Sequence, residues 1–203
     1  ETNRTRNKVN AHEVDADNLR DMFEQLDVFQ NPKVLVAAPS SKVLGNMLGH
    51  TTILEYFYEK GYDVMHITSK FGAIINDKKV GREEFFKTLQ TWGADDTKKF
   101  VIFHYSILSE GINVPGLTHT ILLRNLPIVE MAQTIGRVIR VHKDDRAAVA
   151  EGKIPAGAFH LYKKSEGVVT MPTGYKMGNA IASRLQNVVN AIFIEGRPPM
   201  AFC

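Results

Sequence analysis

A chain of 203 residues with 44% hydrophobic and 23% charged residues can bury a sizeable core and has an ordinary globular composition, which excludes the fibrous and disordered classes. Its net charge of +3 excludes no partner and argues only weakly for an acidic one. A single cysteine, Cys203, excludes an internal disulfide and a cysteine-based zinc cluster, while the polar start and the lack of a long apolar run predict an intracellular protein.

Residues 1–14 lack apolar periodicity and read as a mobile leader. Asp15 or Asp17 then caps a helix whose Leu19, Met22, Phe23, Leu26 and Phe29 fall at helical spacing, closed by Asn31 and Pro32. The valine-rich run 33–38 is a buried strand, followed by a helix that starts near Leu44 or Thr51 and ends at Lys60, and by a second strand over 62–68. Strand, helix and strand in succession imply a right-handed crossover and a parallel sheet covered on both faces. Residues 69–79 read as a loop, 82–92 as an amphipathic helix stopped by Gly93, and 100–104 as a third strand. A fourth strand covers 119–123, and Pro127 opens a helix through Arg140. Residues 157–163 and 167–171 form a strand pair turning at 165–167, and a last helix spans 177–194 with Ile181, Leu185 and Val188 in its apolar stripe.

In the stretch QTIGRVIR, residues 133–140, Arg137 and Arg140 are three residues apart and can aim two guanidinium forks at one anion from one helical face. A solvated basic face is the alternative on spacing alone. Gln133 lies one turn before Arg137, and Gly136 removes a side chain beside it. In an open parallel sheet ligands sit beyond the carboxyl ends of the strands, where the segment 106–115, SILSEGINVP, leaves the third strand. No GxxxxGK[ST] phosphate loop and no Asp-Glu magnesium box occurs. The nearest imitation, GNMLGHTT at 45–52, has histidine in place of the lysine. His104, His119, His142 and His160 have neither ligand spacing nor acidic companions, so no metal site is expected.

The pairing of LSEGINVPGLTHTIL with QTIGRVIR closely resembles motifs V and VI of superfamily 2 helicases and translocases, which belong to the second of two RecA-like domains. KVLVAAPSS resembles the motif IV strand, YDVMHITSKFG the strand and loop after it, and GREEFFKTLQTWG a helix that usually begins with an arginine, here Arg82. The resemblance implies an α/β fold: a RecA-like parallel sheet with helices on both faces, of the P-loop NTPase type but without the phosphate loop. It divides the chain into a leader and helix over 1–32, linking to a first motor domain, the RecA-like domain over 33–170, and a helix packing on it over 171–203.

By the same resemblance ATP with Mg2+ is held mainly by an N-terminal RecA-like domain of the same polypeptide, and Arg137 and Arg140 reach across the cleft as arginine fingers. Gln133 orients the cleft. Gly111 and Asn113 couple nucleotide state to closure, Ser109 and Glu110 line the junction, and Gly136 allows close approach. The family usually has aspartate at the position of Asn113, whose amide still supplies an acceptor. Ser40, Ser41, Ser69, Lys70, Tyr105 and Ser106, by their place after strands, are expected to contact the nucleic-acid backbone, although each serine alone is more often a turn residue or helix cap. The form of motif V looks more like that of DNA repair, recombination and restriction translocases than of RNA-remodelling members. DNA is therefore the favoured track and a nucleoid-associated cytoplasmic location follows. The chain alone is expected to be inactive, and loss of either arginine to abolish turnover while sparing the fold. A non-catalytic docking module for nucleic acid or protein is the alternative, and an unrelated doubly wound nucleotide-binding or glycosyl-transferring domain the third reading.

Overall fold

The computed structural model describes the backbone of residues 2–26, 29–105, 114–172 and 176–192, and the side chains of 12–26, 29–105, 114–172 and 179–191. Its centre is a seven-stranded sheet: β1 (Lys33–Ala37), β2 (Asp63–Thr68), β3 (Gly72–Ile75), β4 (Lys78–Val80), β5 (Phe100–His104), β6 (His119–Leu122) and β7 (Val168–Thr170), in the order β4-β3-β2-β5-β1-β6-β7. Strands β2, β5, β1, β6 and β7 run parallel, and β3 and β4 add antiparallel neighbours at one edge. Every residue of β1 and β5 is buried, as continuous apolar runs in the middle of a two-sided sheet require.

Side chains alternate between the two faces. Val34, Val36, Val101 and Phe103 pack under α1 (Thr2–Glu24), α2 (Ser41–His50) and α3 (Ile53–Glu59), in a core that contains Leu19, Phe23, Leu44 and Phe57. Leu35, Ile102 and Met65 point the other way, toward Phe85 and Leu89 of α4 (Arg82–Ala94) and Val138 of α5 (Ile128–Val138). A third cluster joins Leu122 and Leu126 to Met131 and Ile135 of α5 and to Ile181 and Val188 of α7 (Lys176–Ile192).

Several elements differ from expectation for local reasons. The helix α1 begins at Thr2 rather than after a leader. Its residues 16–24 are anchored in the core, and no Gly or Pro within 2–24 stops the helix from propagating toward the N-terminus. Phe29 lies beyond its end, edge-on to His119 with ring centres 4.6 Å apart. Of the two starts expected for the helix up to Lys60, the one near Thr51 matches α3, and the residues from Leu44 belong to a separate helix, because Thr51 is extended and its hydroxyl donates to the Met47 carbonyl at 2.6 Å, ending α2. The segment read as the loop 69–79 is the hairpin of β3 and β4. Asn76 and Asp77 adopt φ values of 46° and 63° at its turn, and the Asn76 side-chain Oδ1 accepts from Val64 N at 2.8 Å.

Beyond α5, the basic stretch contains a further helix, α6 (Lys143–Ala150), capped by His142, whose Nδ1 accepts from Asp144 N. The expected strand pair of 157–163 with 167–171 does not form. Phe159–Leu161 is a 3₁₀ turn, and only Val168–Thr170 is a strand, parallel to β6. Apolar alternation of that length does not say which neighbour a strand will choose.

Candidate functional site

Five parallel strands end on one edge of the sheet, and the order of β2, β5, β1 and β6 brings together the residues just past each of them. Ser69 and Lys70 come after β2, Tyr105 after β5, Ser40 and Ser41 after β1, and Arg124 after β6. Ser40 has a local role as the N-cap of α2, its hydroxyl accepting from Val43 N at 3.1 Å, and Ser41 is the first helical residue. Ser69 and Lys70 are exposed. The Lys70 ammonium lies 5.2 Å from the centre of the Phe71 ring. That ring rests on Gly45 in the interior of α2, where an added Cβ would come within 2.8 Å of it, so 45–52 is helix and helix end, not a phosphate loop. Ser106, Ser109, Glu110, Gly111 and Asn113 lie outside the described residues, as does Cys203.

Two residues passed over in the sequence complete this edge. The Arg124 guanidinium stacks over Tyr105, 4.9 Å from the ring centre, and pairs with Glu130 at 3.2 Å. Its signal is its place directly after strand 119–123, the same rule that selects Tyr105. His104, at the end of β5, is 3% exposed, and neither ring nitrogen has a hydrogen-bond partner among the described residues. Burial first, then the positive charges of Arg124 and Arg137, push its pKa down to about 3, so the ring is neutral.

The residues of QTIGRVIR are arranged differently from two arginines on one helical face. Arg137 is one of the buried residues of α5, between Ile135 and Val138, and is only 5% exposed. Arg140 is exposed and lies past the helix, which stops at Val138 with Ile139 as C-cap. The stop has a visible cause. Lys164 Nζ donates to the Val138 carbonyl and to that of Arg140, the latter at 2.9 Å, while Gly167 lies so close that an added Cβ would sit 2.6 Å from the Val138 oxygen. Because Lys164 also lines a recess with His119 at the start of β6, the Arg140 backbone lies toward the opposite edge of the sheet from Ser40 and Tyr105. The two guanidiniums still act on each other: burial first, then Arg140, lowers the Arg137 pKa. Gln133 is exposed, and at Gly136 an added Cβ would meet nothing within 4 Å, so no contact within the described chain requires glycine there.

His142 does have acidic companions, contrary to expectation. Its Nε2 is 2.8 Å from an Asp96 carboxylate oxygen, and ligand atoms of Asp96, His142 and Asp144 lie within 4.8 Å of one another. The Lys163 ammonium donates to both carboxylates. Lys163 first, with His142 beside it, holds the Asp96 pKa down to about 2.

No protein-family model matches the chain, and no curated protein sequence does. Among solved structures, the C-terminal domain of the DEAD-box protein Dbp5 superimposes over 88% of this chain and 81% of its own, with a TM-score of 0.52 and 13% identity. The chain has the RecA-like fold of that domain. The ATP-dependent Type ISP restriction-modification enzyme LlaBIII, solved bound to DNA, aligns over 80% of this chain and 10% of its own at a TM-score of 0.44 and 14% identity. At 13% identity the likeness to the Dbp5 domain is one of fold, and each residue of this domain takes its role from its own surroundings. No helix among the described residues is long and apolar enough to cross a membrane.

Proposed function

We propose that this RecA-like domain is the second motor domain of an ATP-dependent nucleic-acid helicase or translocase, with DNA as its track. Its partner would be an N-terminal RecA-like domain of the same polypeptide that holds most of the nucleotide. The observation that carries the reading is Arg137: a guanidinium kept almost wholly out of water beside a second cation, Arg140. Two guanidiniums, one of them held in place by α5, present a pair of cations to an incoming polyanion, which fits a site whose ligand arrives on another domain.

ATP with Mg2+, when bound, supplies the transferable phosphoryl group. Arg137 and Arg140 would neutralise charge developing there, and the buried Arg137, held by α5, would lose little freedom in doing so. Gln133 would orient the cleft from the exposed side of the same helix, and the open space over Gly136 would admit the partner domain. The segment carrying Ser109, Glu110, Gly111 and Asn113 would couple nucleotide state to closure. Along the strand-end edge, Ser41, Ser69, Lys70 and Tyr105, with Arg124 added and Ser106 following, would take nucleic-acid phosphates without reading bases, and Phe71 offers a partly exposed ring beside Lys70. The preference for DNA rests on the SEGINVPG form of motif V.

The test is nucleic-acid-stimulated ATP hydrolysis by the full-length protein carrying Arg140→Ala. Turnover should fall on the order of 10³-fold or more with the melting temperature unchanged. Retained turnover would overturn the arginine-finger role. A wild-type protein that binds nucleic acid without hydrolysing ATP would assign the docking reading instead. Stimulation by single-stranded DNA over RNA of the same length tests the track.

A further inference from the structure

Arg140 lies in the connection between α5, which ends at Val138, and α6, which begins at Lys143. Backbone in such a bridge lacks the ladder of hydrogen bonds that fixes residues inside a helix, so the bearing of an arginine there depends on what else holds the chain. The Lys164 ammonium holds it at two points. It donates to the carbonyl of Val138, the last helical residue, and at 2.9 Å to that of Arg140. The first bond ends the helix, as a cap does. The second does something else: the Arg140 carbonyl lies beyond those a helix leaves open, so binding it fixes the bridge rather than the helix.

Lys164 is itself anchored. Asp145, 3% exposed in the first turn of α6, accepts from the backbone N of Lys163 at 2.7 Å and from that of Lys164 at 3.0 Å, one through each carboxylate oxygen. A buried carboxylate engaged in this way is a fixed point. Further along, Val168 N donates to the Thr118 carbonyl at 3.0 Å as β7 joins the sheet beside β6, and Gly167 lies against Val138. The contacts therefore close a ring. Arg140 leads along the chain to Asp145, Asp145 holds Lys164, and Lys164 returns to Arg140, with the sheet behind it. His142, inside the ring, is tied through Nε2 to Asp96 at 2.8 Å. The arrangement has a cost, since burial lowers the Lys164 pKa to about 8 and both of its hydrogen bonds among the described residues go to uncharged carbonyls. A glycine past the last turn ends a helix without burying a charge, so an ammonium that reaches on to Arg140 exceeds what stopping α5 requires.

We propose that Lys164 is a positioning residue for Arg140: its ammonium, set in place by Asp145, fixes the backbone from which the Arg140 guanidinium reaches the transferred phosphoryl group. The proposal rests on the arginine-finger reading of Arg140. A guanidinium preset in its orientation stabilises developing charge without reorganising at the moment of reaction, whereas a misplacement of about 1 Å can cost roughly 10²-fold. In that reading ATP is held mainly by the partner domain, so loss of the clamp should lower kcat and leave the KM for ATP nearly unchanged.

The experiment is a double-mutant cycle on nucleic-acid-stimulated ATP hydrolysis by the full-length protein, with Lys164→Met, Arg140→Ala and the two combined. Lys164→Met keeps most of the side chain and removes its donor. Its kcat should fall about 10–100-fold, with KM for ATP within about threefold of wild type. The double variant should turn over within about threefold of Arg140→Ala alone, because a residue that acts through Arg140 then has nothing left to position. Lys164→Gln, one bond shorter and uncharged, should show a loss of the same kind and replaces Lys164→Met if that variant does not fold. Wild-type kcat in a folded Lys164 variant, a raised KM at unchanged kcat, or losses that multiply in the double variant would each overturn the positioning role. Full turnover in the Lys164 variant beside loss in Arg140→Ala would leave the motor-domain reading standing. Full turnover in Arg140→Ala would overturn the finger reading and this role with it.

Discussion

His104 is held in a place where only the uncharged ring is tolerable, buried at the end of β5 near Arg124 and Arg137. Its folded pKa of about 3 lies below the ordinary 6.5, so between those values the unfolded chain binds a proton that the native one refuses. Stability must therefore fall as pH drops from about 6.5, and His119, lowered to about 4, adds a contribution of the same sign. Asp96 acts only in more acid solution: its pKa of about 2 contributes stability that is present above 3.8 and is lost below it. Urea denaturation across pH should accordingly show proton uptake on unfolding near pH 5, from His104, His119 and His66, whose pKa burial also lowers, and the uptake should fall by about one proton in His104→Gln. An identical pH slope in the variant would contradict this account of His104. The two arginines separate at the same scale. Arg140→Ala removes an exposed side chain and should leave stability within about 0.5 kcal/mol, whereas Arg137→Ala empties a buried position and should cost about 1–3 kcal/mol in denaturant titration. Arg140→Ala is therefore the cleaner test of chemistry, and the sequence expectation that either substitution spares the fold holds only where the side chain is in solvent.

At the scale of elements, two glycines that look alike in the sequence have opposite prospects. Gly93, in the last turn of α4, lies against the turn at 115–116. A Cβ on Gly93 would fall 2.3 Å from the Pro115 oxygen, and one on Gly116, at φ +71°, 2.1 Å from the Gly93 oxygen. Gly93→Ala should cost on the order of 2–4 kcal/mol, seen as a lower melting temperature, because the atoms it would meet are the Pro115 backbone oxygen and the Pro115 ring, neither of which can rotate away. Gly136→Ala has open space and a helical backbone, so the isolated chain should gain about 0.5–1 kcal/mol from helix propensity. If a partner domain closes on that face, the same substitution should lower ATP turnover in the full-length protein, and unchanged turnover would remove Gly136 from the interface. The central strands and α4 were legible in the sequence because apolar periods of one kind run unbroken between Gly and Pro signals. The β3–β4 hairpin was not: its turn is Asn76-Asp77, without a glycine, and its strands are short and half exposed. The end of α5 was also invisible, since Lys164 and Gly167, which meet its last carbonyls, lie some 26 residues downstream of Val138.

For the whole molecule, the proposed half-motor predicts that the purified chain hydrolyses ATP negligibly and that turnover appears only with the domain that holds the nucleotide, which a steady-state phosphate-release assay would check. Robust turnover by the chain alone would exclude the proposal. The α/β class, the parallel central strands and the apolar stripe of α7 were determined by the sequence alone, because buried runs, helical periods and turn residues are local patterns. The arrangement of those parts was decided by tertiary structure. The strand order set Lys70, Tyr105, Ser40 and Arg124 along one edge, and the end of α5 carried Arg140 toward the other. Lys164, 24 residues downstream of Arg140 in the chain, came to hold its carbonyl. No local pattern encodes such a meeting. It depends on which strands pair and where each helix is stopped, and those are set by contacts between residues far apart in the chain.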